Sequence, residues 1–185
     1  AEVPDNPYFH ELEGQMLFEF GRPRQAVGPH ERSVALLPEN ALLRINLGRA
    51  ILASGGYANA ETAAAELKRA LLAEPDNAFA WSELARAYGA MNDETLAILA
   101  TAEARYHAGA KPEANAFARR AMVRLKRSSR EWRQAADIVL ATQPAEGGAP
   151  LPPGLGDDAP APKGPEDEDM EPEVPDPTFA ERGAF

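Results

Sequence analysis

Residues 74–90 read EPDNAFAWSELARAYGA, and the spacing inside this stretch decides the fold. After the turn residues Pro75, Asp76 and Asn77 come Trp81, Leu84, Ala85 and Tyr88, whose steps of three and four place them on one face of a helix. Ala85 supplies a small contact point between long apolar neighbours. An Ala-rich segment through Ala97 and Ala104 follows as a second helix. The pair cannot bury its apolar face alone, so its neighbours must supply the other side.

The neighbours carry the same block. It appears as Gly14, Leu17, Gly21, Ala26, Val34 and Pro38, then as Leu47, Gly48, Ile51, Gly55, Ala63, Leu67, Ala70, Leu71 and Pro75. The period is 34 to 37 residues; Pro38 to Pro75 spans 37, one 34-residue unit plus three residues around Tyr57–Asn59. A unit of this length opening on W-x2-L-[GA]-x2-Y resembles the tetratricopeptide (TPR) repeat. The expected fold is all-α: a TPR helical solenoid of about eight helices in three to four repeats over residues 1–142. Solenoids of this kind bind more often than they catalyse.

Local signals place the eight helices. Asn6-Pro7 offers a capping amide with proline at the first helical position. Further helices are expected at about 23–36, 40–53, 60–73 and from Asp76 or Asn77. The sixth starts at Asn92-Asp93, the seventh at Pro112, and Ser128 to Glu131 suggests a capping box for the eighth. Pro29 falls inside the second helix, where an interior proline kinks the rod. The sixth helix closes repeat three when counted back from Ala104, and opens repeat four when counted forward to Ala114, Ala118 and Ala121.

The chain has 185 residues and a net charge of −10, unevenly placed. Residues 143–185 carry −9 and ten of the seventeen prolines, leaving −1 for residues 1–142. Such a segment cannot bury enough apolar surface to offset its ordering entropy, so a disordered Pro/Gly/acidic tail is expected there. There is no cysteine, hence no disulfide and no thiolate site. No apolar run is long enough to span a membrane. Ala1–Asp5 shows no signal-peptide pattern, and the absence of an initiator Met suggests a processed product or part of something longer.

Several stretches carry a narrower resemblance. Residues 6–15 (NPYFHELEGQ), 74–81 (EPDNAFAW), 87–89 (AYG) with 96–104 (LAILATAEA), and 132–138 (WRQAADI) are similar to the C-terminal TPR domain of periplasmic HExxH zinc metalloproteases, the beta-barrel assembly-enhancing protease family. The resemblance covers roughly residues 5–140. It implies a periplasmic location and an interaction domain that packs on its own protease domain. It also implies engagement of outer-membrane protein clients or the assembly machinery, chaperone-like work in outer-membrane protein quality control. Zinc would be held by that catalytic domain, outside this chain. His10-Glu11 and His30-Glu31 are half-motifs only, because positions 14 and 34 are Gly14 and Val34. A catalytic zinc needs three protein ligands and a base, so no enzyme activity, metal or cofactor is expected of this chain. The alternative is a free-standing periplasmic TPR adaptor serving another envelope assembly process, such as cytochrome maturation.

The first helix of each pair should line the concave face. Counting from Pro7, Ala41 and Ala78, the groove-facing set is Tyr8, Glu11, Gln15 and Phe18; Leu42, Ile45, Arg49 and Leu52; Phe79, Ser82 and Arg86. Apolar anchors with two arginines suit a protein or peptide client bearing a carboxylate. Glu11 and Gln15 stand where chaperone-type TPR domains have a Lys/Asn clamp, which disfavours that kind of docking. A basic run (Arg119, Arg120, Arg124, Lys126, Arg127, Arg130, Arg133) reads as a solvated face, with the acidic tail folding back on it as the next reading. Nothing points to nucleic acid. Trp81, Tyr88 and Trp132 sit at core spacing.

Overall fold

The computed structural model describes residues 5–143, all of whose regular structure is helical. The expected disordered tail and its fold-back onto the basic run fall on residues 144–185, outside the described residues. Eight helices are described: α1 (Pro7–Glu19), α2 (Pro23–Leu36), α3 (Ala41–Ala53), α4 (Tyr57–Ala73), α5 (Ala78–Ala90), α6 (Glu94–His107), α7 (Lys111–Arg124) and α8 (Arg130–Ala141). None of them is long and apolar enough to cross a membrane.

The caps explain most boundaries. Side chains of Asn6, Asn40, Asn77, Asp93 and Ser129 each accept a backbone N–H from the first turn they open. Each such cap is worth about 1 kcal/mol. At α8 the cap is Ser129 rather than Ser128, so Glu131 does not complete the expected capping box. The three extra residues of the second unit extend α4, which begins at Tyr57 rather than Ala60 and runs for 17 residues. Gly55 and Gly56, at φ +80° and +94°, make the bend that allows this extra turn. α2 remains one helix through Pro29, and the Gln25 carbonyl that proline leaves unpaired belongs to an exposed residue.

Helices pack as consecutive antiparallel neighbours, and alanine sets how close they come. Ala26, Ala60, Ala63, Ala80, Ala87, Ala114, Ala118, Ala121 and Ala135 are fully buried. Gly48 lies against Leu67; a Cβ there would stand 3.0 Å from the Leu67 Cγ. Between these contacts, one cluster joins Ile45, Leu67, Leu71, Leu84 and Tyr88 across α3, α4 and α5. A second joins Val34, Leu43, Leu47 and Ile51. Tyr88 and Trp132 are core residues as expected, whereas Trp81 is half-buried and donates its indole N–H to the Pro75 carbonyl at 2.8 Å. Polar locks add to the apolar contacts: fully buried Ser33 donates to the Pro7 carbonyl, and Arg44 reaches Glu66 at 2.6 Å.

The array changes frame at α6. First helices touch in the order α1–α3 and α3–α5, but α5 and α7 do not touch; α6 and α8 do instead. The sixth helix therefore closes one repeat and opens the next, as its two-way alanine pattern suggested. Its buried residues run Ile98, Leu99, Ala100, Ala102, Glu103 and Ala104, nearly all round the helix. Glu103 sits in this crowded position, accepting from Gln134 of α8 at 2.6 Å and lying 3.4 Å from His107. Burial pushes its carboxyl above the usual carboxylate range, and the Gln134 hydrogen bond and His107 only partly counter it.

Leu67 is fully buried where α3 meets α4. Leu67→Ala should lower stability by about 2–5 kcal/mol, read as a lower urea midpoint. A midpoint equal to the parent's would mean that the α3–α4 contact does not hold the array together.

Candidate functional site

The first helices bring Phe18, Arg49 and Phe79 together from α1, α3 and α5. The Arg49 guanidinium carbon lies 4.9 Å from the Phe18 ring centre and 5.2 Å from that of Phe79. Phe18 comes from the last turn of α1, Arg49 from the third turn of α3 and Phe79 from the first turn of α5. One cation thus ties three neighbouring helices, each contact contributing about 0.5–1 kcal/mol. Arg49 has no carboxylate partner among the described residues, and its buried Nε makes no hydrogen bond.

Beside Arg49 opens a cavity of about 260 Å³ lined by Gln15, Phe18, Glu19, His30, Asn46 and Arg49. Amides of the lining donate to two carboxylates of α1: Gln15 to Glu19, itself in the lining, and Asn46 to Glu11, both at 3.0 Å. His30 enters from α2 and is only 2% exposed. It can do so because residue 14 is glycine: a Cβ there would lie 2.7 Å from the imidazole Cε1 and Nε2. The His30 Nδ1 is buried without a hydrogen-bond partner. Burial, helped by the Arg49 charge, lowers the His30 pKa to about 4, so the ring is neutral at pH 7. A neutral imidazole holds one N–H and one lone pair.

A second depression, about 480 Å³, lies between α5 and α6 and is lined in part by Phe79, Ser82, Arg86, Thr101 and Arg105. Phe79 belongs to both features, covering Arg49 on one side and walling the depression on the other. The missing α5–α7 contact explains why this side of α5 is open.

The residues of the expected groove set differ in exposure. Tyr8, Leu42 and Phe79 are about half exposed, at 53%, 55% and 49%. Gln15, Ser82 and Arg86 are exposed, while Glu11, Phe18, Arg49 and Leu52 are half-buried. Ile45 is the exception, at 2% exposure within the α3–α5 core, and it is unavailable to a ligand. The four-residue step from Ala41 turns it toward α4 and α5. Arg86 is held by both oxygens of Glu83, at 2.9 and 2.8 Å, which leaves Arg49 as the unpaired cation of the pair.

The basic run divides among different partners. Arg120 and Arg124 converge on Glu94 at 3.1 and 2.7 Å, lowering the pKa of that carboxyl through the Arg124 hydrogen bond first. Arg119 donates to Asn115, which itself donates to Thr142 and the Val139 carbonyl and so faces α8. Arg127 and Arg130 are exposed, with no ion pair among the described residues. The three histidines stay apart: His10 pairs with Asp5 at 2.6 Å, His30 is under Gly14, and His107 meets Glu103. No group of three potential metal ligands comes together among the described residues.

His30, Glu19 and Asn46 were not in the expected groove set. A signal for His30 does exist. It precedes Leu67 by 37 residues, the offset that relates Pro38 to Pro75, so it occupies the position that the next repeat fills with a fully buried leucine. Ala26, Ser33 and Val34 match Ala63, Ala70 and Leu71 at the same offset.

No family model matches the chain, and no curated protein matches it. Solved structures do. A crystal structure of MamA is 19% identical and superposes with a TM-score of 0.55 over 75% of this chain and 77% of that one. The NMR structure of the second TPR domain of the human RPAP3 protein, in complex with an HSP70 peptide, is also 19% identical. It covers 74% of this chain and 98% of that one, with a TM-score of 0.35. At this identity the MamA likeness establishes a TPR-type helical solenoid and says nothing about what the chain binds.

The buried imidazole makes stability depend on pH. Its folded pKa of about 4 lies below the ordinary 6.5, so between these values the unfolded chain binds more protons. Stability from His30 is full above pH 6.5 and is lost as pH falls toward 4, by about 3 kcal/mol in total. The difference in unfolding free energy between the parent and His30→Gln should therefore shrink across this window. A difference that stays constant from pH 7 to 4.5, or an NMR titration of His30 near 6.5, would contradict the buried neutral ring.

Proposed function

We propose that the chain is a non-catalytic protein–protein interaction domain whose inner face takes an extended segment of a partner. The observation that carries this reading is the place of Phe79, which packs on Arg49 and also lines the α5–α6 depression. Half-exposed aromatic and aliphatic anchors, Tyr8, Leu42 and Phe79, lie on α1, α3 and α5, and the last two of these helices also carry Arg49 and Arg86, each of which lines a hollow. Exposed apolar anchors set among a few directional polar groups are what an extended peptide needs from a groove. Isolated apolar residues on a surface need no explanation, but several along one face do.

The finer reading is that this domain is the TPR portion of a periplasmic zinc metalloprotease. It would engage outer-membrane protein clients or the assembly machinery, with zinc held by a catalytic domain outside this chain. The support is the likeness of residues 6–15, 74–81 and 132–138 to that family's TPR domain.

Two measurements test the two levels separately. With a photo-crosslinking benzoylphenylalanine in place of Phe79, the protein should capture a partner that the same label at Leu72 does not. Leu72 is 85% exposed but lies on α4, a second helix. Equal capture at both positions would remove the groove from the reading. For the finer level, an antibody against residues 5–143 should detect a native protein well above 19.9 kDa with chelator-sensitive peptidase activity. A native protein of 19.9 kDa without that activity would leave the free-standing adaptor in its place.

A further inference from the structure

We propose that the cavity between α1, α2 and α3 is a recognition subsite for the side-chain carboxylate of a glutamate in a partner's extended segment, gripped by the Arg49 guanidinium and the His30 imidazole. The inference rests on the groove reading above and deepens it by naming what one position of the groove selects.

Two independent features point to a ligand. Buried polar atoms are almost always paired, and the exceptions call for an explanation. Here two of them, Arg49 Nε and His30 Nδ1, are the only buried side-chain polar atoms without partners among the described residues, and both residues line one cavity. The second feature is the repeat itself: His30 replaces the leucine that fills this position in the next repeat, and Gly14 is the residue that makes room for it. A repeat built only for packing would have kept the apolar side chain.

The chemistry of the lining selects the ligand. Rings from the helices on either side cover the guanidinium, so an acceptor must approach its edge. The Nε of Arg49 is itself sealed, so the two outer Nη–H groups form the fork that meets the two oxygens of a carboxylate with parallel hydrogen bonds. The neutral imidazole can add one further N–H. Glu11 and Glu19 keep their charge while accepting from the amides of Asn46 and Gln15, and neither forms an ion pair with Arg49. Phe18 gives an apolar wall suited to methylene groups. Glutamate brings its charge on a slim, unbranched stem, whereas a chain terminus brings its own side chain and amide to the same edge. Phe79, which packs on Arg49 and lines the α5–α6 depression, offers the segment its next contact.

The test uses the whole chain and four small probes, followed through the Arg49 side-chain Nε–H and the His30 ring in NMR titrations at pH 7. N-acetylglutamate amide should shift both with a dissociation constant in the millimolar range, as one charged contact provides. N-acetylglutamine amide, equal in size and uncharged, should shift neither. N-acetylalanine, whose carboxylate is a chain terminus, should bind at least about tenfold more weakly. Arg49→Lys keeps the charge but removes the fork and should weaken N-acetylglutamate amide by about tenfold; His30→Gln is the second variant, with the parent's fold checked by circular dichroism. The proposal is overturned if no probe shifts Arg49 at high millimolar concentration, since the cavity then holds only water. It is also overturned if N-acetylalanine or inorganic phosphate binds as well as N-acetylglutamate amide. Capture at Phe79 with no response at Arg49 would retain the groove and reject this subsite. A response at Arg49 with no selective capture at Phe79 would do the reverse.

Discussion

The structure depends on how closely two helices can approach where one of them carries no side chain. At Gly48 the space is filled by Leu67, and at Gly14, 34 residues earlier, by His30. Both are the same contact in successive repeats. The leucine version makes a core and nothing more. In the histidine version, the approach that packs α1 on α2 also drives a titratable ring out of water and beside Arg49. The alanines at the remaining contacts extend the same constraint along the array, because a larger residue at any of them would push its helices apart.

A solenoid with a strict two-helix repeat would present one continuous inner layer. This one does not, because α6 belongs to two units. It is packed by α5, α7 and α8, and this puts Glu103 in a place where a carboxyl is held neutral more readily than in water. The same shift leaves α5 without an inner neighbour toward the C-terminal side. The depression at Phe79, Ser82 and Arg86 is thus a consequence of connectivity, in the same way that the cavity at Arg49 is a consequence of a glycine. Phe79 lines the second hollow and packs on Arg49, which lines the first.

The repeat made the fold legible. Trp81, Leu84, Ala85 and Tyr88 specify a helix face, and the recurrence of small residues at fixed offsets specifies what packs on it. Caps at Asn6 and Asp93 placed helix starts because a side-chain acceptor before an apolar run has one favourable use. The extra turn of α4 was less legible: Tyr57 to Asn59 look like loop beside two glycines, and only packing continues the helix into them. Groove residues were legible to the extent that counting from a helix start gives a face. The counting failed at Ile45, since a first helix in the middle of an array is covered on two sides and leaves a narrower face than an end helix. His30 was passed over because a second helix contributes to the inner face only where the first helix opposite it has a gap.

Electrostatics of the inner face follow from these placements. Arg86 has Glu83 one turn away on its own helix, and a pair so close in sequence forms whatever the neighbouring repeats do. Arg49 has Asn46 at the corresponding step, an amide that donates to Glu11, so its helix offers no carboxylate partner. The carboxylates on α1 that could have reached it are turned to amides instead. Its charge is held in place by two quadrupoles, which attract a cation without neutralising it. A neutral histidine alongside is the consistent companion, because a second positive charge in that cavity would repel the first. The result is a fixed cation with an uncharged donor next to it, at a place where a repeat built for stability alone would have put leucine.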